Sequence, residues 1–128
     1  MSPRRGLPRR ASNPAQLLPL TPLAFSILLA LADQELHGYG IAQRISERDT
    51  GAITLAPGNL YSALDRLIEA RLVERITEPK DSSHSRRGRQ YRITAFGRDV
   101  AGLEAARLRA VVRTAQRLNM MPTKAGGS

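Results

Sequence analysis

Cysteine and tryptophan are both absent from this chain, and aromatic residues make up only 4% of its 128 positions. Without cysteine the chain forms neither disulfides nor thiol-based metal or redox sites. Acidic residues are scarce, since 11 Asp and Glu stand against 20 Lys and Arg, for a net charge of +9. A sequence pI near 11.3 is typical of a nucleic-acid partner, although ribosomal and membrane-surface proteins share such a basic balance.

Long hydrophobic runs are missing as well. The most apolar stretch, residues 23–31, falls short of the roughly 18 residues that a membrane span needs. It follows an arginine-rich start and precedes Ala30-Leu31-Ala32, so this region resembles a secretory signal. Pro19 and Pro22 interrupt the run, and cleavage after Ala32 would remove the most apolar helix. We therefore predict a cytoplasmic protein with no membrane partner; the alternative is an exported basic protein cleaved near Ala32.

The sequence contains no set of catalytic residues. Its histidines are His37 and His84, and neither has a nearby carboxylate pairing or the spacing of zinc ligands. The sequence has no phosphate-binding loop and no nucleophile elbow. We therefore expect no enzymatic activity, no metal and no cofactor.

Composition and capping residues divide the chain into four parts. Residues 1–20 combine four prolines and four arginines with no acid, which predicts a disordered basic arm. Thr21 and Pro22 then supply an N-cap hydroxyl and a first-turn proline, which start a buried helix. Residues 21–94 form one domain, residues 95–119 a C-terminal helix, and residues 120–128 a disordered tail.

Three helices followed by two strands predict a winged helix-turn-helix. The first helix begins after Thr21, the second spans about residues 39–49, and the third begins at Pro57. The hydrophobic period then changes from 3.6 to 2, which predicts strands within residues 72–77 and 90–94. The basic residues between them form the tip of a β-hairpin, the wing. The predicted fold is mainly α with this small β-hairpin, plus a long C-terminal dimerisation helix.

The third helix has the features of a helix that reads a DNA groove. Its first turn places an amide, Asn59, and a phenol, Tyr61, near the N-terminus, where backbone N–H groups favour an anion. Asn59 can pair with adenine, and Tyr61 and Ser62 can donate to phosphate oxygens. The alternatives are that Tyr61 packs on the domain and that Asn59 only helps to cap the helix. Gly58 allows a close approach either to DNA or to the second helix.

The predicted wing carries a dense cluster of positive charge. Its tip includes His84, Arg86, Arg87 and Arg89, which could enter a minor groove or lie along phosphates. The alternative is a solvated loop whose charge only aids solubility. Tyr39, at the start of the second helix, is equally open to contact with a phosphate or to burial under the first helix.

The C-terminal helix is too long and too apolar on one face for a single small domain to cover. At about 100° per residue, seven apolar side chains and one polar pair fall on that face. A second copy would cover it, so we predict a homodimer. These residues are Phe96, Val100, Leu103, Leu108, Val111, Ala115 and Leu118, with Glu104 and Arg107.

Three segments carry a resemblance to a known family: LTPLAFSILLALADQELHGYGI, GNLYSALDRLIEARLVE and SRRGRQYRITAFGRDV. They are similar to the PadR family of transcriptional regulators. That family has an HGY opening to the second helix, a G-T-L-Y start to the third, L-x-x-L-x-x-x-G-L after it, and a basic wing that closes with YRLT-x-x-G. The resemblance covers residues 21 to about 118.

The resemblance implies a winged helix-turn-helix dimer whose last helix packs on the partner's first and last helices. It also implies repression through an operator in double-stranded DNA, relieved in many members by a small, often aromatic molecule at the dimer interface. Carried over, the DNA contacts are Tyr39, Asn59, Leu60 and Tyr61 with the wing residues Arg86, Arg87 and Arg89. To these we add Ser62 and Arg66 from the polar face of the third helix and His84 from the wing tip. The dimer contacts are Phe25, Leu28, Val100, Leu103, Glu104, Arg107, Leu108, Val111, Ala115 and Leu118.

Departures from the family pattern sharpen these expectations. Asn59 stands where threonine is common, which alters the expected base preference. Arg71 replaces the usual glycine before Leu72, so the turn takes another form or places a non-glycine residue at positive φ. Without tryptophan, an aromatic ligand held between indole rings is not expected, and the effector is left unidentified.

The sequence therefore predicts a sequence-specific DNA-binding transcriptional regulator, a repressor released by a small-molecule or other signal. The alternative is a winged-helix protein-interaction module without sequence-specific DNA binding, which uses its basic face on an acidic partner. Both would lose affinity with salt, but only the regulator would also show a base preference.

Overall fold

The computed structural model describes residues 13–48, 57–76 and 89–122, so most of the predicted wing and the ends of the arm and tail lie outside the described residues. The elements in order are α1 (Pro22–Ala30), β1 (Leu36–His37), α2 (Gly38–Arg48), α3 (Pro57–Glu69), β2 (Val73–Ile76), β3 (Gln90–Ile93) and α4 (Ala95–Arg117). This order confirms the mainly helical fold with a small sheet and a long C-terminal helix. No helix within these ranges is long and apolar enough to cross a membrane.

Helix α1 begins where the capping residues predict. The Thr21 hydroxyl accepts a hydrogen bond from the backbone N–H of Ala24 at 3.1 Å, and Pro22 occupies the first turn, where an N–H would lack a helical partner. The helix is apolar on almost every side, and Ile27 and Leu28 are fully buried. Helix α1 thus forms the centre of a core that α2, α3 and α4 all contact.

Three residues assigned to the dimer interface lie inside this core instead. Leu28 and Val100 have no exposed surface, and Glu104 is only 2% exposed. The assignment is wrong for these three residues because the protomer already covers the part of α4 that is nearest the domain. A second copy would have to contact α4 further along.

The sheet is built around the central strand β3, with the strand order β1-β3-β2 and both pairs antiparallel. Tyr91 of β3 lies opposite Leu36 on one side and Arg75 on the other. Tyr91 and Ile93 are buried and belong to the core. Strand β1 was not predicted, because two residues are too few to show an alternating pattern.

The turn from α3 into β2 contains Arg71 at a φ of 68°, which confirms the prediction of a non-glycine residue at positive φ. This conformation costs on the order of 1 kcal/mol for a residue with a Cβ. The Thr94 hydroxyl donates to the Arg71 carbonyl at 2.7 Å and accepts from the Gly97 N–H at 2.9 Å. One hydroxyl therefore holds the turn and caps α4. Gly97 must lack a side chain, since a Cβ there would collide with the Leu72 carbonyl oxygen.

Residues 13–20 are structured, so the prediction of a disordered arm is wrong for this part of it. A short 3-10 helix, Pro14–Leu17, is capped by Asn13, whose side chain accepts a backbone N–H at 3.0 Å. Leu17 and Leu20 are buried, and the segment packs against α4. The prolines suggested disorder, but they also suit a tight turn, and two leucines three residues apart are enough to dock it.

An ion pair within α4 lies where this segment packs against the helix. The Arg107 guanidinium donates two hydrogen bonds to the Glu104 carboxylate, both at 2.8 Å. These bonds are the main reason that the pKa of Glu104 lies below its ordinary value of 4.5; the backbone N–H of Leu20 also lowers it, while burial opposes them. Arg107 remains partly exposed, so only the carboxylate is fully removed from water.

We expect Glu104→Gln to lower the free energy of unfolding by about 1–3 kcal/mol near neutral pH, because a buried charge-assisted pair is lost. Since the folded pKa of Glu104 is depressed, the pair stabilises the protein fully above 4.5 and ceases to do so as pH falls through the folded value. Urea unfolding of the wild type and of Glu104→Gln, at the same protein concentration and over a range of pH, should show that the difference in free energy of unfolding becomes smaller in acid. A difference that is constant with pH would contradict this role.

Candidate nucleic-acid interface

Helix α3 presents a narrow polar stripe to solvent. Asn59, Ser62 and Arg66 are exposed, and their spacing of three and four residues places them within one arc of the helix. Asp65 and Glu69 are also exposed and lie along one edge of that arc. The opposite face, with Ala63, Leu64 and Leu67, is buried in the core.

Leu60 does not belong to the polar stripe. Its side chain is 4% exposed and packs in the core, so its assignment as a DNA contact is wrong for this conformation. The cause is helical geometry, since residue 60 falls on the same side as Leu64 and Leu67, which the apolar period of α3 already indicated.

The Tyr61 phenol lies against the start of α2 rather than beside Asn59. A Cβ on Gly38 would collide with the Tyr61 hydroxyl and would lie 2.9 Å from the ring carbon Cζ. Gly38 is buried and Tyr61 is half-buried, so the ring packs on the domain, while its contact with a phosphate stays a prediction. The glycine of the HGY motif leaves room for the tyrosine of the third helix, which occupies the space of its side chain.

Tyr39 is the most exposed aromatic side chain among the described residues, at 77%. This excludes its burial under α1 and leaves it free to reach an external partner from the first turn of α2. Tyr39 and Tyr61 line one open cleft, whose other residues are Glu35, Leu36, His37, Gly38 and Gly40. Both phenols therefore border one cleft at the start of α2.

Gly58 and Asn59 are both accessible at the start of α3. A Cβ at Gly58 would have no heavy atom within 4 Å, so close packing against α2 is not the reason for this glycine. Asn59 is exposed, and no hydrogen bond joins it to another described residue. Among the residues that the structure describes, none covers Gly58 and Asn59 in the first turn of α3.

Several arginines of the described region are already occupied. Arg44 pairs with Asp33 at 2.7 Å, and Arg92 pairs with Glu74 at 3.0 Å on the outer side of the sheet. Arg98 donates to the Ala32 carbonyl at 2.7 Å. These guanidiniums stabilise the fold, so the overall positive charge overstates the charge that is free for a partner.

The predicted wing residues are only partly within the described region. Arg89 immediately precedes β3 and is half-buried. His84, Arg86 and Arg87 lie outside the described residues, so their role stays a prediction. Arg75 on β2 is also exposed, on the strand that precedes the predicted wing. The sequence alone did not identify it as a candidate.

The phenol of Tyr91, on β3, is buried near α3. Burial raises the pKa of the Tyr91 hydroxyl, and the neighbouring Tyr61 phenol and Asp65 carboxyl raise it further, while Arg75 opposes them. Tyr91 therefore lies beneath α3 as a neutral core residue.

No group of His, Cys, Asp and Glu side chains suited to a metal ion occurs in residues 13–48, 57–76 and 89–122.

Residues 27–102 match the model of the transcriptional regulator PadR-like family, which is more than half of the chain. The chain belongs to this family. A PadR family transcription regulator from Clostridium difficile R20291 is 23% identical, with a TM-score of 0.65 over 77% of this chain and 98% of that one. A PadR-like transcriptional regulator from Bacillus cereus is 21% identical, with a TM-score of 0.62 over 78% and 93% of the two chains. At these identities the likeness shows the fold.

A relative in sequence is an uncharacterized 37.1 kDa protein in a transposon of Streptomyces fradiae, 38% identical over 94 residues. These residues are 73% of this chain and 23% of that protein. The chain therefore spans about a quarter of the length of the curated relative that it matches. What this PadR-like chain binds has to be argued from its own surface.

We expect Gly38→Ala to displace the Tyr61 ring and to lower the free energy of unfolding by about 1–3 kcal/mol, the usual cost of overpacking. The matched control is Gly102→Ala, where a Cβ meets nothing within 4 Å and better helix propensity should stabilise the protein by roughly 1 kcal/mol. Thermal unfolding and the Tyr61 ring resonances report the two effects. Equal behaviour of the two variants would contradict the packing of Tyr61 on Gly38.

Proposed function

We propose that this PadR-like chain is a homodimeric repressor that binds a specific operator in double-stranded DNA. The observation that supports it best is the exposed stripe Asn59, Ser62 and Arg66, which begins at the open first turn of α3. Tyr39 is exposed in the first turn of α2 and shares a cleft with Tyr61 of α3. These groups supply an amide, a hydroxyl, a guanidinium and a phenol to one partner, which matches the mixture of base edges and phosphates in a DNA groove.

The start of each helix favours a phosphate. The unpaired backbone N–H groups of a first helical turn and the helix dipole both attract an anion. Tyr39 lies in the first turn of α2, and Asn59 lies in the first turn of α3. A DNA backbone that crosses the junction between these helices would meet both turns, and the predicted wing arginines would extend the contact.

Tyr39→Phe should weaken DNA binding about fivefold, since it removes one hydrogen bond worth about 1 kcal/mol from an exposed position. Tyr91→Phe makes the same chemical change in the core and should leave DNA affinity unchanged. Fluorescence anisotropy with a duplex selected from a random pool measures both. Equal affinities of wild type and Tyr39→Phe would remove Tyr39 from the interface.

The same titration separates the regulator from a protein-interaction module with a basic face. A regulator should bind its selected duplex more tightly than a scrambled duplex, and both complexes should weaken as salt rises. Salt-dependent binding with no difference between the duplexes would instead favour the interaction module. An enzymatic activity forms no part of the proposal.

The second half of α4 supplies the proposed dimer surface. Val111 is 52% exposed and Leu118 is 62% exposed, although both lie on the apolar face of the helix. Leu103 is also exposed, and Phe25, Leu108 and Ala115 are half-buried. Arg107 is committed to Glu104 within its own protomer. We propose that a second copy covers these apolar side chains.

We expect Val111→Glu to yield monomers, because a carboxylate in an apolar interface costs several kcal/mol unless it is paired. The control is Gln116→Glu, which places the same charge on the opposite, exposed face of α4. Light scattering gives the mass of each variant, and circular dichroism verifies the fold. A dimeric Val111→Glu protein, or a monomeric wild type at micromolar concentration, would remove α4 as the dimer surface.

Repression released by a signal is the regulatory mode that we propose for this dimer in the cytoplasm. A dimer bound at a promoter occupies DNA that a polymerase needs, so the simplest outcome of binding is repression. A reporter gene behind the selected operator tests this directly. Lower expression with the wild-type protein than with Tyr39→Phe is expected, and higher expression would indicate an activator.

A further inference from the structure

We propose that Asn59 and Arg66 read two base pairs three steps apart in the major groove, Asn59 an adenine and Arg66 a guanine. This assignment rests on the proposed DNA binding and concerns how one site distinguishes sequences. It predicts a half-site in which an adenine and a guanine are separated by two base pairs that α3 does not read.

The predicted spacing follows from the rise per residue of an α-helix and the rise per base pair of DNA. Seven residues separate Asn59 from Arg66, and a rise of 1.5 Å per residue places them about 10 Å apart along the helix. Base pairs in DNA rise by 3.4 Å, so three steps also span about 10 Å. The two residues lie on one exposed arc of α3, so both can face the floor of a groove at once.

Both side chains are available for a partner. The guanidinium of Arg66 has no hydrogen bond or ion pair with any other described residue, whereas those of Arg44, Arg92 and Arg107 are bound to carboxylates. Asn59 is equally exposed and without a bond to another described residue. An exposed amide and an exposed guanidinium are the groups that bind adenine and guanine through two hydrogen bonds each.

The charges on α3 favour a base edge over a phosphate for Arg66. Within α3, Arg66 is accompanied by two acids, Asp65 next to it and Glu69 one turn later. A phosphate bound at Arg66 would lie near the exposed Asp65 carboxylate and be repelled by it. Guanine offers neutral acceptor atoms instead, so this carboxylate does not oppose it.

Side-chain lengths also suit a helix that enters the groove with its N-terminus first. Asn59, at the deep end, is short, and Arg66, at the shallow end, is long. Ser62 between them is small and exposed, so it does not hold the helix away from the bases. A longer residue at the start and a shorter one at the end would not reach the floor together.

The test selects a preferred duplex with the full wild-type chain and then measures affinity for every single base-pair substitution. With Asn59→Ala we expect the preference to disappear at one adenine, with a loss of about 10- to 100-fold for the original duplex. With Arg66→Gln we expect the preference for guanine three steps away to disappear, because the shorter, neutral side chain no longer reaches the base with two hydrogen bonds. Arg113→Lys, an exposed change on α4, should leave every preference intact.

Two results would overturn the assignment while leaving the proposed function standing. One is that Arg66→Gln weakens binding equally on all duplexes, which would mark Arg66 as a phosphate contact. The other is that the two variants alter base pairs at a spacing other than three. A wild-type chain that binds all duplexes equally would overturn both the assignment and the proposed function. Unchanged thermal unfolding of both variants shows that the fold is not the cause.

Discussion

The contact between the Tyr61 phenol and the bare backbone of Gly38 determines how closely α2 and α3 approach each other at this point. Gly38 lacks a side chain, and the Tyr61 ring fills the space that one would occupy. Tyr39 shares a cleft with Tyr61, and Asn59 is exposed at the start of α3. The relative positions of the two phenols therefore depend on a packing contact within the domain.

At the other end of α3, the hydroxyl of Thr94 connects three elements of the domain. Thr94 bonds to the Arg71 turn and caps α4 at the same time, so the end of the third helix, the edge of the sheet and the start of the long helix meet at one residue. Gly97 permits this meeting because the Leu72 carbonyl occupies the place of its side chain. The direction in which α4 leaves the domain is thereby tied to the end of α3.

The sequence predicts best those features that are encoded by neighbouring residues. The Thr21 cap, the start of α3 at Pro57 and the left-handed Arg71 all follow from short-range patterns, and all agree with the structure. Contacts between distant residues were missed, as for Gly38 with Tyr61 and for Leu17 and Leu20 with α4. Strand β1 owes its existence to β3 and has no signal of its own.

The site shows the same division between local and distant information. Leu60 was assigned to DNA through family resemblance although its helical position placed it with the buried leucines, and the local pattern was the better guide. Glu104 was placed at the dimer surface because it shares a face with apolar residues. Only the folded chain shows that residues 13–20 cover that part of the face. Burial by a remote segment has no signature in the periodicity of one helix.

The enclosure of Glu104 has a consequence for partner choice. In paired helices a buried polar residue commonly fixes the register and rejects foreign partners, since any misaligned pairing leaves it without a hydrogen bond. Here that group is enclosed within its own protomer, and the proposed dimer surface on the outer part of α4 exposes aliphatic side chains such as Val111 and Leu118. A dimer built on this surface would select its partner mainly by the shape of these side chains. A related chain with similar aliphatic residues would then meet little resistance to pairing with this one.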